Sequence, residues 1–115
     1  MNVWLVAAAG AAGTLARYGL GLLLLGTIFG GPAGTFAVNV VGSFAMGIVS
    51  AAFAGHPRLV VATTGFLGGL TTYSAFNQSL VSSLASGSIA RAASYAIGTV
   101  VACLLAGMVG NLLAR

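Results

Sequence analysis

The chain has 115 residues, among them four arginines and no lysine, aspartate or glutamate, so its formal charge is +4. Charged residues make up 3% and hydrophobic ones 59%, whereas roughly a quarter of a soluble domain is charged; this chain belongs in lipid. The missing carboxylates exclude paired-acid catalysis, hard-cation sites built from acidic side chains and carboxylate proton relays, and four scattered arginines leave no nucleic-acid footprint. Every fixed side-chain charge is positive, which suits an anion.

The first apolar segment runs from about Val3 to Leu25. Its start, MNVWLV, lacks the basic region of a signal peptide and reads as a membrane helix. Arg17 lies inside this span, where an arginine costs about 2.5–3.5 kcal/mol on insertion scales. With no acid to pair with, it must snorkel, bond carbonyls, face water or meet an anion. GTIFGGPAG, residues 26–34, then breaks the pattern.

The second segment runs from about Thr35 to Ala54 and carries Asn39, with Ser43 four residues on along the same face. A membrane asparagine either bonds across helices or lines a hydrated cavity, and both readings stay open here. GHPR, residues 55–58, is a turn holding His56, which reads as an exposed loop histidine.

The third segment, about Leu59 to Leu84, would span about 39 Å as one helix, more than the hydrocarbon core requires. Gly68-Gly69 followed by Leu70-Thr71-Thr72 is the expected break, glycine tolerating non-helical backbone. A break frees carbonyls, and broken transporter helices use these to coordinate cations. Just beyond it, Tyr73 and Phe76 share a face. Their positive ring edges would favour an anion, although core packing also explains such a pair.

ASGS, residues 85–88, leads to the fourth segment, about Ile89 to Leu113. Here Tyr95, Thr99 and Cys103 form a polar stripe at a spacing of four. Ser94, Gly98, Ala102, Ala106 and Gly110 form a small-residue stripe on which a helix could pack closely. The single cysteine allows no internal disulfide.

Each segment has the roughly 20 residues that a crossing needs, and short loops make successive helices antiparallel. Arg58 and Arg115 then lie on one side and Arg91 on the other. So weak a bias leaves an ordinary topology, insertion in both orientations and an oppositely oriented partner all open.

The motifs GFLGGLTTYSAF, GTFAVNVVGSFAMG and GAAGTLARYGL together resemble, in the correct order and over nearly the whole chain, the Fluc/CrcB fluoride channel family. The resemblance implies a small four-helix protein in the plasma membrane of a prokaryote, working as an antiparallel, dual-topology dimer that passively exports fluoride. It implies a structural sodium ion held by the backbone carbonyls of Gly68 and Thr71. Along the fluoride pathway it places ring edges at Tyr73 and Phe76 with Ser74 between them. It adds Asn39 from the second helix, the vestibule residue Arg17, and a polar track of Tyr95, Thr99 and Cys103. Three positions depart from the family pattern. Tyr73 stands where phenylalanine is usual, Ser79 where glutamate is usual, and Cys103 where serine is usual. Such departures also suit one half of a heterodimer, so homodimer and heterodimer both stand.

The expectation is an all-α membrane protein, a single domain over residues 1–115 with spans at about 3–25, 35–54, 59–84 and 89–113. The third helix is broken near Gly68–Thr72. Its partners are fluoride, lipid and a second subunit, and it is not an enzyme. A small multidrug transporter, also four-helix and dual-topology, needs a membrane carboxylate that this chain lacks. A membrane assembly subunit whose polar residues only join helices is the other alternative.

Overall fold

The computed structural model describes residues 3–28 and 30–115. Met1 and Asn2 of the expected single domain, and Phe29 in the expected 26–34 break, lie outside the described residues. The described residues are helical, joined by turns, with no strand among them. Helix α1 is Val3–Leu23 and α2 is Pro32–Ala52. The third segment begins as α3, residues 59–70, whose middle Val61–Leu67 is π-helical and whose end Gly68–Leu70 is α-helical. It resumes as α4, Tyr73–Ala85, and the chain closes with α5, Ile89–Ala114. Helices α1, α2 and α5 are each long and apolar enough to cross a membrane.

Local chemistry sets these limits. Pro32 opens α2, where its missing N–H costs nothing. Gly55 and Gly87 take φ of 79° and 83° in the turns after α2 and before α5, a conformation open mainly to glycine. The Ser88 hydroxyl accepts the Arg91 N–H and caps α5.

Chain direction alternates, yet the tight pairs are parallel ones. Helix α1 lies along α3, and α2 lies along α5, because glycines let the backbones approach. A Cβ at Gly13 would strike the Phe66 carbonyl, and one at Gly69 the Gly10 carbonyl. On the other seam, a Cβ at Gly47 would meet the Gly107 carbonyl, and one at Gly110 the Phe44 carbonyl. Close small-residue packing of this kind holds helices together where lipid removes the hydrophobic drive. Of the small-residue stripe expected on α5, Gly110 joins this seam, but Gly98 faces open space.

Among the described residues the buried hydrophobic side chains are Leu67, Phe76 and Ala92, while Trp4, Leu23, Ile97 and Leu113 are among many large ones exposed. That is the surface of a protein solvated by lipid. The molecule measures 47 × 28 × 22 Å, long enough to cross a bilayer of about 40–45 Å including headgroups.

The expected break needs one correction. Gly68 is helical, with φ −62° and ψ −37°, and the extended residues are Thr71 (φ −88°, ψ 157°) and Thr72 (φ −148°, ψ 120°). The backbone opens at the two threonines. Gly69 instead supplies the close approach to α1, a packing demand that a sequence shows in the same letters as a flexibility demand.

Candidate functional site

The break is held from α2. The Asn39 Nδ2 donates to the Thr72 carbonyl at 2.9 Å, and the Thr72 N–H donates to Asn39 Oδ1 at 2.8 Å. One amide side chain thus satisfies both backbone groups of one linker residue. One turn along the same face, Gly42 leaves room for the Thr71 methyl, which any Cβ there would strike. Thr71 folds back on α3, its N–H and hydroxyl both donating to the Leu67 carbonyl at 3.0 and 2.9 Å. The Thr72 hydroxyl accepts the Ala75 N–H at 3.2 Å, capping α4, and lies 3.1 Å from the Ser74 hydroxyl.

The freed carbonyls at the end of α3 have different fates. That of Gly69 accepts Arg17 Nε at 3.2 Å and the Thr14 hydroxyl at 3.5 Å. A guanidinium therefore sits at the negative end of a helix, where it is favoured. Gly68 loses its ordinary helical donor, the Thr72 N–H, to Asn39. The Thr71 carbonyl accepts no hydrogen bond among the described residues.

Two clefts meet at this break, and Thr72 lines both. The smaller, about 360 Å³, opens where α1 ends and α2 begins, and Arg17, Tyr18, Thr35 and Ala75 line it. The larger, about 810 Å³, runs between α2 and α5 toward the opposite end of the bundle. Asn39, Thr71, Tyr73, Phe76, Thr99 and Cys103 line its inner part. The structure thus gathers most of the residues singled out from the sequence around one groove and sets Arg17 across the break from them.

The aromatic residues differ in role. Phe76 is buried and Tyr73 is 76% exposed; their ring centroids are 5.6 Å apart at 62°, edge toward face. Phe76 also packs on Tyr95, with centroids 5.4 Å apart. The Tyr95 hydroxyl gives its one proton to the Pro32 carbonyl at 2.9 Å, and neither Tyr95 nor Ser74 lines either cleft. Ser79, one of the three departures from the family pattern, bonds back to the Ala75 carbonyl at 3.1 Å.

Thr99 stands apart. It is 5% exposed, lines the larger cleft, and its Oγ1 has no hydrogen-bond partner among the described residues. Threonine in a helix usually satisfies itself on a carbonyl one turn back. Leaving such a group unsatisfied costs about 1–3 kcal/mol, so this hydroxyl is a donor in waiting. Cys103, a free half-buried thiol, follows it one turn on.

Sequence reasoning placed Thr72 in the break but not among the residues lining the clefts, and missed the outer lining of the larger cleft, including Ser50, Asn111 and Arg115. The signal for the last two was present: counting by fours from Tyr95 reaches both.

The CrcB-like protein, camphor resistance (CrcB) family model matches residues 4–111. A fluoride-specific ion channel of Sorangium cellulosum is 43% identical over 114 residues, covering 92% of this chain and 88% of that one. That of Paracoccus denitrificans is 40% identical, covering 96% and 91%. That of a Thermus thermophilus strain is 38% identical, covering 92% and 89%. A match spanning nearly the whole chain, together with relatives of this identity, places it: the chain belongs to the CrcB-like family.

Proposed function

We propose that the chain is a subunit of a fluoride-selective channel that lets fluoride leave a prokaryotic cell passively across its plasma membrane. One observation carries this reading. Two clefts, largely apolar but carrying Arg17, Asn39 and threonine hydroxyls, approach each other from opposite ends of the bundle and meet at a helix break, in a chain without an acidic side chain. The names of the relatives support fluoride as the ion.

Arg17 raises the local anion concentration in the smaller cleft by its field. Fluoride, losing water, is met by hydroxyl donors at Thr72 and Thr99 and by the thiol of Cys103. The ring edges of Tyr73 and Phe76 carry it between them. None of these groups binds strongly alone, and conduction requires such weak, multi-site contact. Asn39 acts by holding the break, since both ends of its amide are engaged with Thr72. With no carboxylate to carry protons, transport is a leak and not an exchange.

Four membrane segments are too few to enclose a pore, and the larger cleft lies open between α2 and α5. A second subunit closes it, either an oppositely oriented copy or a related chain. A structural sodium ion fits the break: the Gly68 carbonyl has lost its helical donor and the Thr71 carbonyl has none among the described residues. Backbone oxygens are the hard ligands this chain has to offer. The carbonyls of Gly68 and Thr71 would hold the ion, which would supply positive charge near the path.

The test is purified protein in liposomes loaded with fluoride. Efflux should be electrogenic, retain chloride inside and need no proton gradient. Absence of fluoride release, both alone and with a related second chain, would sink the reading.

A further inference from the structure

The polar face of α5 does not stop at Cys103. Continuing by fours gives Gly107, Asn111 and Arg115, and all three line the larger cleft with Thr99 and Cys103. Gly107 packs against α2, where a Cβ would lie 3.4 Å from the Ser43 carbonyl, and the groove continues past it to the outer end. There the side chains are coupled. Asn111 Nδ2 donates to the Gly47 carbonyl of α2 at 3.5 Å, and Asn111 Oδ1 accepts Arg115 Nε at 2.9 Å. The guanidinium is thereby tethered through its one Nε–H. Its two terminal nitrogens meet no acceptor among the described residues, and the chain holds no acid side chain to neutralise it. A guanidinium is weakly hydrated and presents its donors as a rigid fork. Ser50, at the end of α2, lines the same mouth.

We infer that Asn111 and Arg115 form an anion-capturing mouth to the larger cleft, the counterpart of Arg17 at the smaller one. Arg115 meets fluoride, and Asn111 is a positioning residue that aims the guanidinium into the groove. The inference rests on the fluoride-channel reading. A different role for an arginine at a helix C-terminus is to offset the helix dipole. That role predicts lower stability but no dependence of transport on salt.

Fluoride efflux from liposomes holding the full chain separates the two. The proteins are the wild type, Arg115→Gln, Arg115→Lys and Asn111→Ala, each at low and high concentrations of an impermeant salt. Arg115→Gln should conduct about threefold more slowly at low salt, less than the roughly tenfold or more of a whole charged cleft, since a single charge is lost. The deficit should fade in high salt, because the screening length falls from about 30 Å at 0.01 M to about 3 Å at 1 M. Arg115→Lys, which keeps the charge, should retain most of the rate, and Asn111→Ala should fall between the two. Equal low-salt rates for wild type and Arg115→Gln would overturn the mouth while leaving the channel reading intact. So would a deficit that persists at about 1 M. A wild type that conducts no fluoride would overturn both.

Discussion

The seams and the break of this molecule solve the same problem, contact between backbones in lipid, by opposite means. Along α1·α3 and α2·α5 the closest contacts are glycines against carbonyls, with few side chains between the backbones. At Thr71–Thr72 the contact is made by side chains, with Asn39, Arg17 and the threonines supplying donors and acceptors that the helix no longer provides. A seam tolerates no added atom, whereas the break tolerates no lost hydrogen bond. Steric changes should therefore destroy the fold, and polar deletions should act mainly on transport.

The largest effect is expected at the seam. Gly47→Val puts a branched side chain against the Gly107 carbonyl and the Asn111 N–H, and no monodisperse protein should emerge from size-exclusion chromatography. Next comes the break. Asn39→Ala leaves the Thr72 N–H and carbonyl unsatisfied, at about 1–3 kcal/mol each. Fluoride efflux should drop at least about tenfold, with a lower melting temperature; Asn39→Asp, which can still accept the Thr72 N–H, should keep more stability than alanine. Thr99→Val removes a hydroxyl that bonds nothing among the described residues. The conservative exchange Thr99→Ser should preserve efflux, while valine should slow it yet melt higher, because it no longer buries an unsatisfied hydroxyl. The smallest effect marks the edge of the seam: Gly98 has open space around it, so Gly98→Ala should leave efflux alone and raise stability by up to about 1 kcal/mol through helix propensity. If Gly98→Ala proved as damaging as Gly47→Val, the distinction between seam and open face would fail.

Much of this was legible in the letters. Length and hydropathy mark the helices, since each apolar run needs only to match the membrane. The spacing of Tyr95, Thr99 and Cys103 marks one face of α5, because the helical repeat is fixed. Other features depend on neighbours that a single sequence does not display. Gly68-Gly69 reads as a hinge in isolation, but Gly69 faces Gly10 and is needed for closeness. Asn39 could have lined a cavity or bridged helices. Thr72, 33 residues away, gives it the bridge, and the larger cleft gives it the lining as well. Tyr95 looks like a free hydroxyl until Pro32, 63 residues back in the chain, takes its proton.

The parallel pairing of α2 with α5 has a consequence for how the protein is made. Gly47 and Asn111, which meet across that seam, are 64 residues apart. At synthesis rates of about 5–20 residues per second, α2 waits about 3–13 s in the bilayer before its partner emerges. Throughout that interval the glycine face of α2 has no final neighbour, and the amide of Asn39 waits about half as long for Thr72, 33 residues on. The nascent chain is then a natural client for whatever shelters half-built membrane proteins at the insertion site.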